Sequence, residues 1–259
     1  MGRSSVFSLE QIYRKQVTQT WSKIPEVFRY VNQTASITPT TGTEYGYLGG
    51  GRQDISGPWN ATSVVDRIDF ASDTSLASPR GNLTLGVAKS GSFSSISYGY
   101  IAGGDYGPSS PSSTSNTQRV DFSNDGAQAS PKGNLTDAGY SMSGVGDNNF
   151  GYSVGGNRPG VSSKVDRLDY SNDTAAAVAK GPLSETRYGN GSTGTNFYGY
   201  TAGGYTGSNY TSKSDRIDYS NDTATASPKG PLSFAKGNSQ GCGNMSFGYW
   251  AGGNGSAPA

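Results

Sequence analysis

Residues 164–173 read KVDRLDYSND, and the same phrase occurs three more times along the chain with few changes. The other copies are VVDRIDFASD at 64–73, TQRVDFSNDG at 117–126 and KSDRIDYSND at 213–222. A catalytic site is rarely written four times in one chain, whereas a structural unit often is. The arginine–x–aspartate–aromatic phrase therefore indicates a repeated structural element.

Two further phrases repeat together with this arginine phrase. An aromatic–Gly–Tyr strand that ends at a glycine pair begins at Tyr45, Tyr98, Phe150, Tyr198 and Phe247, at spacings of 53, 52, 48 and 49 residues. A phrase of the type ASPKGNLT follows each arginine phrase. Each unit thus holds about four short strand candidates separated by turn residues, which is typical of a β-propeller blade.

The census of strands predicts an all-β propeller of about five blades within residues 26–259. The strand with the glycine pair occurs five times and the arginine strand four times, so the chain has four complete repeats and a partial one. We expect EVFRYVNQT, at 26–34, to complete the last blade from the N-terminal side. A four-bladed ring with one surplus hairpin is the alternative.

The first 25 residues differ from the repeats and predict a helix. Apolar side chains recur there at helical spacing, which places them near one face. They are Leu9, Ile12, Tyr13, Val17 and Trp21. Two interpretations stay open, a helix packed on its own propeller and an anchor that docks on another protein. We expect the anchor, in a segment spanning residues 1–25.

The composition excludes several classes of function. The 259 residues include no histidine and one cysteine, Cys242, and the net charge is +1. The commonest general base and metal ligand is therefore missing, and no intrachain disulfide can form. No excess of charge attracts nucleic acid, and no apolar run reaches signal-peptide or membrane-spanning length. We expect no cofactor, no metal, and no nucleic-acid or membrane partner.

The arginine phrase predicts structural ion pairs. Residues two apart on a strand face the same side, and charges between stacked sheets need partners. The expected pairs are Arg67 with Asp69, Arg119 with Asp121, Arg167 with Asp169 and Arg216 with Asp218. A ligand or cation held by four equivalent aspartates is the alternative. The turn DYSNDTA, at 169–175, is interpreted as an Asx turn because it lacks the spacing of a calcium-binding EF-hand loop.

The loops after the glycine pairs differ in length and sequence from unit to unit. They carry the candidate binding residues Trp59, Tyr106, Tyr205 and Tyr210 among Ser, Gly and Asn. Loops of this composition on a rigid scaffold form adaptable contact surfaces, although ordinary solvated loops are the alternative. The acids outside the repeats are Glu44, Asp54, Asp105, Asp137, Asp147 and Glu185. We expect no enzymatic activity from them.

The order of residues within a unit resembles the kelch repeat. In the third unit the correspondence runs through Gly155 and Gly156, then Tyr170, then Leu183 and Arg187. The resemblance extends from about Gly42 to Gly253. It departs from the kelch pattern where a tryptophan usually follows the tyrosine, since Ala177 or Val178 stands there. The resemblance implies a kelch-like propeller.

The sequence DRIDYSNDTATASPKGPLS, at 215–233, is similar to repeats in virion structural proteins of tailed phages that infect cyanobacteria. This resemblance implies a tail fibre, tail tip or capsid appendage on the virion exterior, made in the host cytoplasm without a signal peptide. We expect a homo-oligomer that docks on other virion proteins through its N-terminal segment and contacts a host glycan or receptor. A purely architectural subunit of a fibre or shell and a sugar-active enzyme are the alternatives.

Overall fold

The computed structural model describes residues 45–52, 60–72, 74–107 and 112–255. The predicted helix and anchor residues, the boundary between 25 and 26, the closing segment 26–34 and Trp59 lie outside these ranges. The protein is all-β, with 46% strand and no helix of seven or more residues among the described parts. Within the same ranges, no helix is long and apolar enough to cross a membrane.

The strands form one antiparallel sheet per complete repeat. Sheet I contains β1 (Tyr45–Gly49), β2 (Val65–Asp69) and β3 (Ser78–Pro79). Sheet II contains β4 (Gly91–Ser94), β5 (Tyr98–Asp105), β6 (Ser113–Asp121) and β7 (Ser130–Lys132). In sheet III, β8 (Ser143–Gly146) and β9 (Phe150–Val154) are followed by a short hairpin, β10 (Asn157–Arg158) and β11 (Gly160–Val161), before β12 (Val165–Asp169) and β13 (Val178–Ala179) join the sheet.

The last part of the chain follows the same order and then stops short. Sheet IV contains β14 (Gly191–Gly194), β15 (Tyr198–Ala202), β16 (Ser214–Asp218) and β17 (Ser227–Lys229). Two ladders follow, β18 (Lys236–Gly237) with β21 (Asn254–Gly255), and β19 (Gln240–Gly243) with β20 (Gly248–Ala251). We call β19 and β20 the last hairpin. A single 3₁₀ turn follows each arginine strand, as η1 (Phe70–Ser72), η2 (Phe122–Asn124), η3 (Tyr170–Asn172) and η4 (Tyr219–Asn221).

Within a sheet, each repeated phrase has a constant place. In sheets II, III and IV the aromatic–Gly–Tyr strand is second and the arginine strand is third, and in sheet I they are the first two described strands. Tyr152 accordingly stands opposite Arg167, and Tyr200 opposite Arg216. The proline phrase forms the outermost strand, as β3, β7 and β17. Proline has no N–H to give to a ladder, and it is tolerated at such an edge because one side of the strand is unpaired.

Apolar residues lie between successive sheets and form three separate core clusters. Tyr100 of sheet II stacks on Tyr170 of sheet III with ring centroids 5.1 Å apart, and Tyr152 stacks on Tyr219 of sheet IV at 5.0 Å. These contacts bury Tyr100 and Tyr152 completely. Sheets that each pack a core against the next one in chain order form a propeller-like arrangement.

Glycine allows the inner strands of neighbouring sheets to approach closely. A methyl group at Gly144 of β8 would overlap the carbonyl oxygen of Ser92 in β4. A methyl group at Gly241 of β19 would likewise overlap the carbonyl oxygen of Ser192 in β14. No larger residue fits at such a backbone-to-backbone contact, so the inner edges of the sheets converge on a common centre.

The last hairpin is the least enclosed part of the described chain. Within the described ranges, β20 pairs only with β19. Tyr249 on β20 is 58% exposed, although the equivalent Tyr100 and Tyr152 are fully buried. An exposed strand edge with aromatic side chains is a site where another strand can add.

Candidate functional site

The arginine phrase joins neighbouring sheets, because its arginine forms an ion pair with one aspartate of the next sheet. Arg167 Nη1 lies 2.8 Å from Oδ2 of Asp222 in the next sheet, and Tyr152 Oη donates to the same oxygen at 3.0 Å. Lys180 Nζ lies 3.2 Å from the second oxygen. Equivalent sites hold Asp173 with Tyr100, Arg119 and Lys132, and Asp125 with Tyr47, Arg67 and Arg80. We call each set of three donors a socket.

The predicted partners of the arginines are wrong. Asp69, Asp121 and Asp169 are not bound to Arg67, Arg119 and Arg167, and Asp218 forms no ion pair with Arg216 in the part of the chain described. Each of these aspartates stands where a strand ends, and its carboxylate accepts the backbone N–H two residues later, as Asp169 does from Ser171 at 2.9 Å. These aspartates therefore cap the 3₁₀ turns instead of pairing with the arginines.

The capping bonds also affect the acidity of these aspartates. The hydroxyl of Ser171 and its backbone N–H donate to Asp169, and these bonds hold the pKa of Asp169 below its usual value. Ser220 holds the pKa of Asp218 low in the same way. Hydrogen bonds given to a carboxylate favour its charged form, so these caps are present as carboxylates at neutral pH.

Each socket raises the pKa of its tyrosine. Burial raises the pKa of Tyr100 above its usual range, and the neighbouring Asp173 carboxylate raises it further. Burial and Asp222 act on the pKa of Tyr152 in the same sense. A phenolate beside a carboxylate in a buried site is unfavourable, so these tyrosines remain neutral hydrogen-bond donors.

The oxygen-rich turn has the structural role that the sequence predicts. Asp169 caps the turn and Asp173 lies in a socket, so two of its three oxygen donors point to protein partners. Among the described residues, no three histidine, cysteine, aspartate or glutamate side chains are grouped to hold a metal ion.

A second feature surrounds the centre where the sheets converge. Asn238 N–H donates to Gly189 at 2.6 Å, Gly189 N–H to Ser141 at 2.8 Å, and Ser141 N–H to the carbonyl of Lys89 at 2.6 Å. These four residues all have positive φ, between 53° and 64°. They line a cavity of about 110 Å³. A left-handed backbone is strained for a residue with a side chain, so this arc is imposed by the packing of successive sheets.

Tyrosines cluster at the same end of the sheets as this arc. Tyr205 lies between Tyr188 and Tyr210, with ring centroids 5.5 and 5.4 Å away and edge-to-face geometry. Tyr140 accepts a hydrogen bond from Asn157 at 2.9 Å, and Lys89 Nζ lies 5.5 Å from its ring centroid. We call the surface formed by Tyr140, Tyr188, Tyr205, Tyr210 and Lys89 the tyrosine face. All four tyrosines are half-buried.

Antiparallel pairing explains why these residues share one end. In sheets II, III and IV the second strand ends beside the start of the first, inner strand, as Ala102 does opposite Gly91. Residues after the glycine pair and residues before the inner strand therefore meet at one edge of the sheet. Tyr205 follows a glycine pair and Tyr188 precedes an inner strand, and their backbones pair through the Tyr205 N–H at 2.8 Å.

The predicted binding residues meet only in part. Tyr205 and Tyr210 are in contact, whereas Tyr106 is 45% exposed and forms no ring contact with a described residue. Trp59 lies outside the described ranges. The sequence reasoning missed Tyr140 and Tyr188, which precede the inner strands of sheets III and IV. An aromatic at the same place in two successive units was the available signal.

The described acids outside the repeats have local structural partners. Asp105 accepts from Ser112, Asp137 pairs with Lys164, Asp147 accepts from Asn149, and Glu185 accepts from Thr211. Glu44 and Asp54 lie outside the described ranges. Of the carboxylates considered for glycoside hydrolysis, Asp105 ends β5, and Asp137, Asp147 and Glu185 lie in separate loops and turns.

Comparison with known proteins finds a similar fold but no matching family. No protein-family model and no curated protein matches the sequence. A solved structure described as "Structure of YjhT" is similar at a TM-score of 0.62 and 15% sequence identity. The match covers 76% of this chain and 70% of that chain. At this identity the likeness concerns the fold alone.

Proposed function

We propose that this protein is a five-bladed, kelch-like β-propeller without enzymatic activity, which serves as a structural protein on the exterior of a phage virion. Its tyrosine face contacts a glycan or receptor on the host surface. The virion assignment rests on the resemblance of residues 215–233 to phage repeats. The kelch-like assignment is supported by the positive φ of Gly155 and Gly156 and by the burial of Leu183 and Arg187.

The cluster of Tyr188, Tyr205 and Tyr210 is the observation that carries the binding proposal. Their rings support one another edge to face, so each is held with little freedom left to lose on binding. Tyrosine offers both an apolar ring and a hydroxyl, which suits the apolar faces and hydroxyl groups of a sugar. Lys89 adds a positive charge to this surface.

The partners of the carboxylates favour a protein that binds a sugar over a protein that cleaves it. Glycoside hydrolysis needs two carboxyl groups on opposite sides of the scissile bond, about 5–10 Å apart. Asp105 is completely buried, and Asp137 and Glu185 are engaged with lysines. Neither Asp105, Asp137 nor Glu185 belongs to the tyrosine face, so a sugar held there would meet tyrosine hydroxyls and an ammonium group.

A glycan array tests the proposal with five forms of the full chain. We expect the unaltered protein to bind a subset of glycans, and Tyr205→Ala and Tyr210→Ala to lose that binding at least tenfold. Phe197→Ala is the control, because Phe197 is an aromatic residue 65% exposed at the opposite end of sheet IV. Tyr205→Phe keeps the ring contacts and separates the role of the hydroxyl from that of the packing.

Melting temperatures of the same variants make the result decisive. Loss of binding in a variant that melts like the unaltered protein supports the tyrosine face. Equal binding by all five forms would refute it. Assembly into oligomers or fibres without glycan binding by any form would favour the purely architectural subunit.

A further inference from the structure

Sheet IV carries a fourth socket whose acceptor is not among the described residues. Tyr200, Arg216 and Lys229 occupy the positions that Tyr152, Arg167 and Lys180 occupy in sheet III. Within the described ranges, no carboxylate lies within ion-pair distance of Arg216 or Lys229.

The backbone beside the fourth socket repeats the same arrangement. Gly81, Gly133 and Gly181 each donate an N–H at 2.8 Å to the carbonyl of the socket aspartate, and a methyl group on any of them would overlap the carbonyl oxygen of Ala127, Ala175 or Ala224. Gly230 is the equivalent residue in sheet IV, and a methyl group there would meet no described atom within 4 Å. The side-chain and backbone donors of a complete interface are therefore both present in sheet IV.

An open cavity separates sheet IV from the last hairpin at this place. Its volume is about 500 Å³, and its lining includes Tyr200, Lys229, Pro231, Phe247 and Trp250. Phe247 is 65% exposed. The other three sockets hold a chain segment in which the aspartate is followed two residues later by an alanine, as Asp222 is by Ala224, and this alanine packs on the glycine of the preceding sheet. The cavity lies where a fifth segment of this kind would lie.

The N-terminal region of this chain contains such a segment. Residues 26–36 read EVFRYVNQTAS and align without gaps with DRIDYSNDTAT at 215–225. The matches are Tyr30 with Tyr219, Asn32 with Asn221, Thr34 with Thr223 and Ala35 with Ala224. Gln33 falls at the position of the socket residue Asp222 and supplies a carbonyl acceptor in place of a carboxylate.

A second acceptor in the same segment falls in the right place. Asp215 accepts from the backbone N–H and hydroxyl of Ser184 at 3.1 and 2.7 Å, and the aligned residue of the N-terminal segment is Glu26. The counterpart of Ser184 one repeat later is Ser233, which is exposed. The spacing of seven residues between the two acceptors is the same in Glu26–Gln33 and Asp215–Asp222.

We infer that residues 26–36 dock on β20 of their own chain as the third strand and turn of the last sheet, with Gln33 in the fourth socket and Glu26 against Ser233. The eight residues between this segment and Tyr45 can span up to about 28 Å, which allows the segment to reach across from sheet I. The inference concerns the closure of the fold and stands independently of what the tyrosine face binds.

A charge substitution in the full chain tests the contact between Gln33 and the socket. Gln33→Asp restores the carboxylate of the other three sockets, so we expect the melting temperature to rise by several degrees. The rise should disappear in an Arg216→Met background, where the main cation is gone. Gln19→Asp makes the same charge change outside the segment and should have no such effect. An equal rise with and without Arg216 would overturn the inference.

A glycine substitution gives a second, independent test. If Ala35 packs on Gly230 as Ala224 packs on Gly181, Gly230→Ala should lower the melting temperature about as much as Gly181→Ala does. Gly126→Ala is the control, since a methyl group there also meets no described atom within 4 Å. A Gly230→Ala protein that melts like the Gly126→Ala protein would show that no segment covers the socket.

The source of the segment is decided by concentration and competition. A melting temperature that is independent of protein concentration, in a protein that elutes as a monomer after removal of residues 1–24, places the segment on its own chain. A concentration-dependent value in that protein would mean that a second copy supplies the segment and would overturn the inference. So would tight binding of the peptide DYSNDTATAS to the full chain through Arg216, because the socket would then be open to a partner.

Discussion

Arg167 and Asp222 stand 55 positions apart in the chain and meet in a 2.8 Å ion pair that joins sheet III to sheet IV. The aspartate side chain is only 7% exposed, and the tyrosine and lysine of its socket complete its coordination. The contacts have the same direction along the chain, since the arginine of each sheet binds the aspartate of the next sheet. The repeats are therefore linked in series by buried charges.

We expect Asp222→Ala to lower the free energy of unfolding by about 3–5 kcal/mol, because Arg167 and Lys180 would lose their buried counter-charge. Asp218→Ala is the matched control four residues earlier. It removes only the cap of η4 and should cost much less, because no buried cation depends on Asp218. Urea unfolding at pH 7 measures both variants. Equal losses would show that the socket contributes no more than a turn.

The sockets also predict sensitivity to alkali. The pKa of Tyr152 is raised in the folded state, so its contribution to stability is complete below about pH 10 and is lost as the pH rises towards the folded pKa. We expect Tyr152→Phe to lower stability at pH 8, where the hydrogen bond to Asp222 is lost, and to lower it by less at pH 11. Parallel melting curves for the two proteins from pH 8 to 11 would contradict the shift.

Close approach of the inner strands predicts a strong effect of one methyl group. Gly144→Ala would place its new carbon on the carbonyl oxygen of Ser92, and we expect a loss of about 3 kcal/mol because neither backbone can move far. Gly126→Ala adds the same group on open surface and should change stability by less than about 0.5 kcal/mol. Chemical unfolding of the two variants compares them directly.

Two truncations separate the proposed roles of the N-terminal residues. Removal of residues 1–24 should give a folded monomer that melts like the full chain but no longer assembles, because the predicted apolar stripe is the expected contact between subunits. Removal of residues 1–44 should lower the melting temperature strongly, because β20 would keep an open edge. Sizing chromatography and thermal melts measure both. Unfolding by the shorter truncation would show that the helix belongs to the core.

The fold was accessible from the sequence because its signal is periodic. A strand that ends at a glycine pair needs positive φ at both glycines, and Gly155 and Gly156, directly after β9, have φ of 66° and 100°. The same pair recurs in each unit, so the end of the second strand could be placed without the structure. The outer position of the proline phrase was likewise predictable from its missing N–H.

The partners of the charges were not accessible in the same way. Arg167 and Asp169 lie close in sequence and on one face of a strand, but Asp169 stands at the strand end and bonds to the turn that follows. The true partner, Asp222, belongs to the next repeat, and nothing in the order of residues shows which repeats touch. The tyrosine face was only partly predicted for the same reason, since Tyr188 and Tyr205 meet through the ends of two strands.

Because the same contact links each pair of successive sheets, one repeat can be exchanged for another. Sheet III contacts sheet IV in the same way as sheet II contacts sheet III. After duplication or deletion of one repeat, the remaining repeats would therefore still have matching interfaces on both sides. The number of units is then restrained at the centre, where Gly144 and Ser92 already touch and an extra inner strand would have to widen the whole arc.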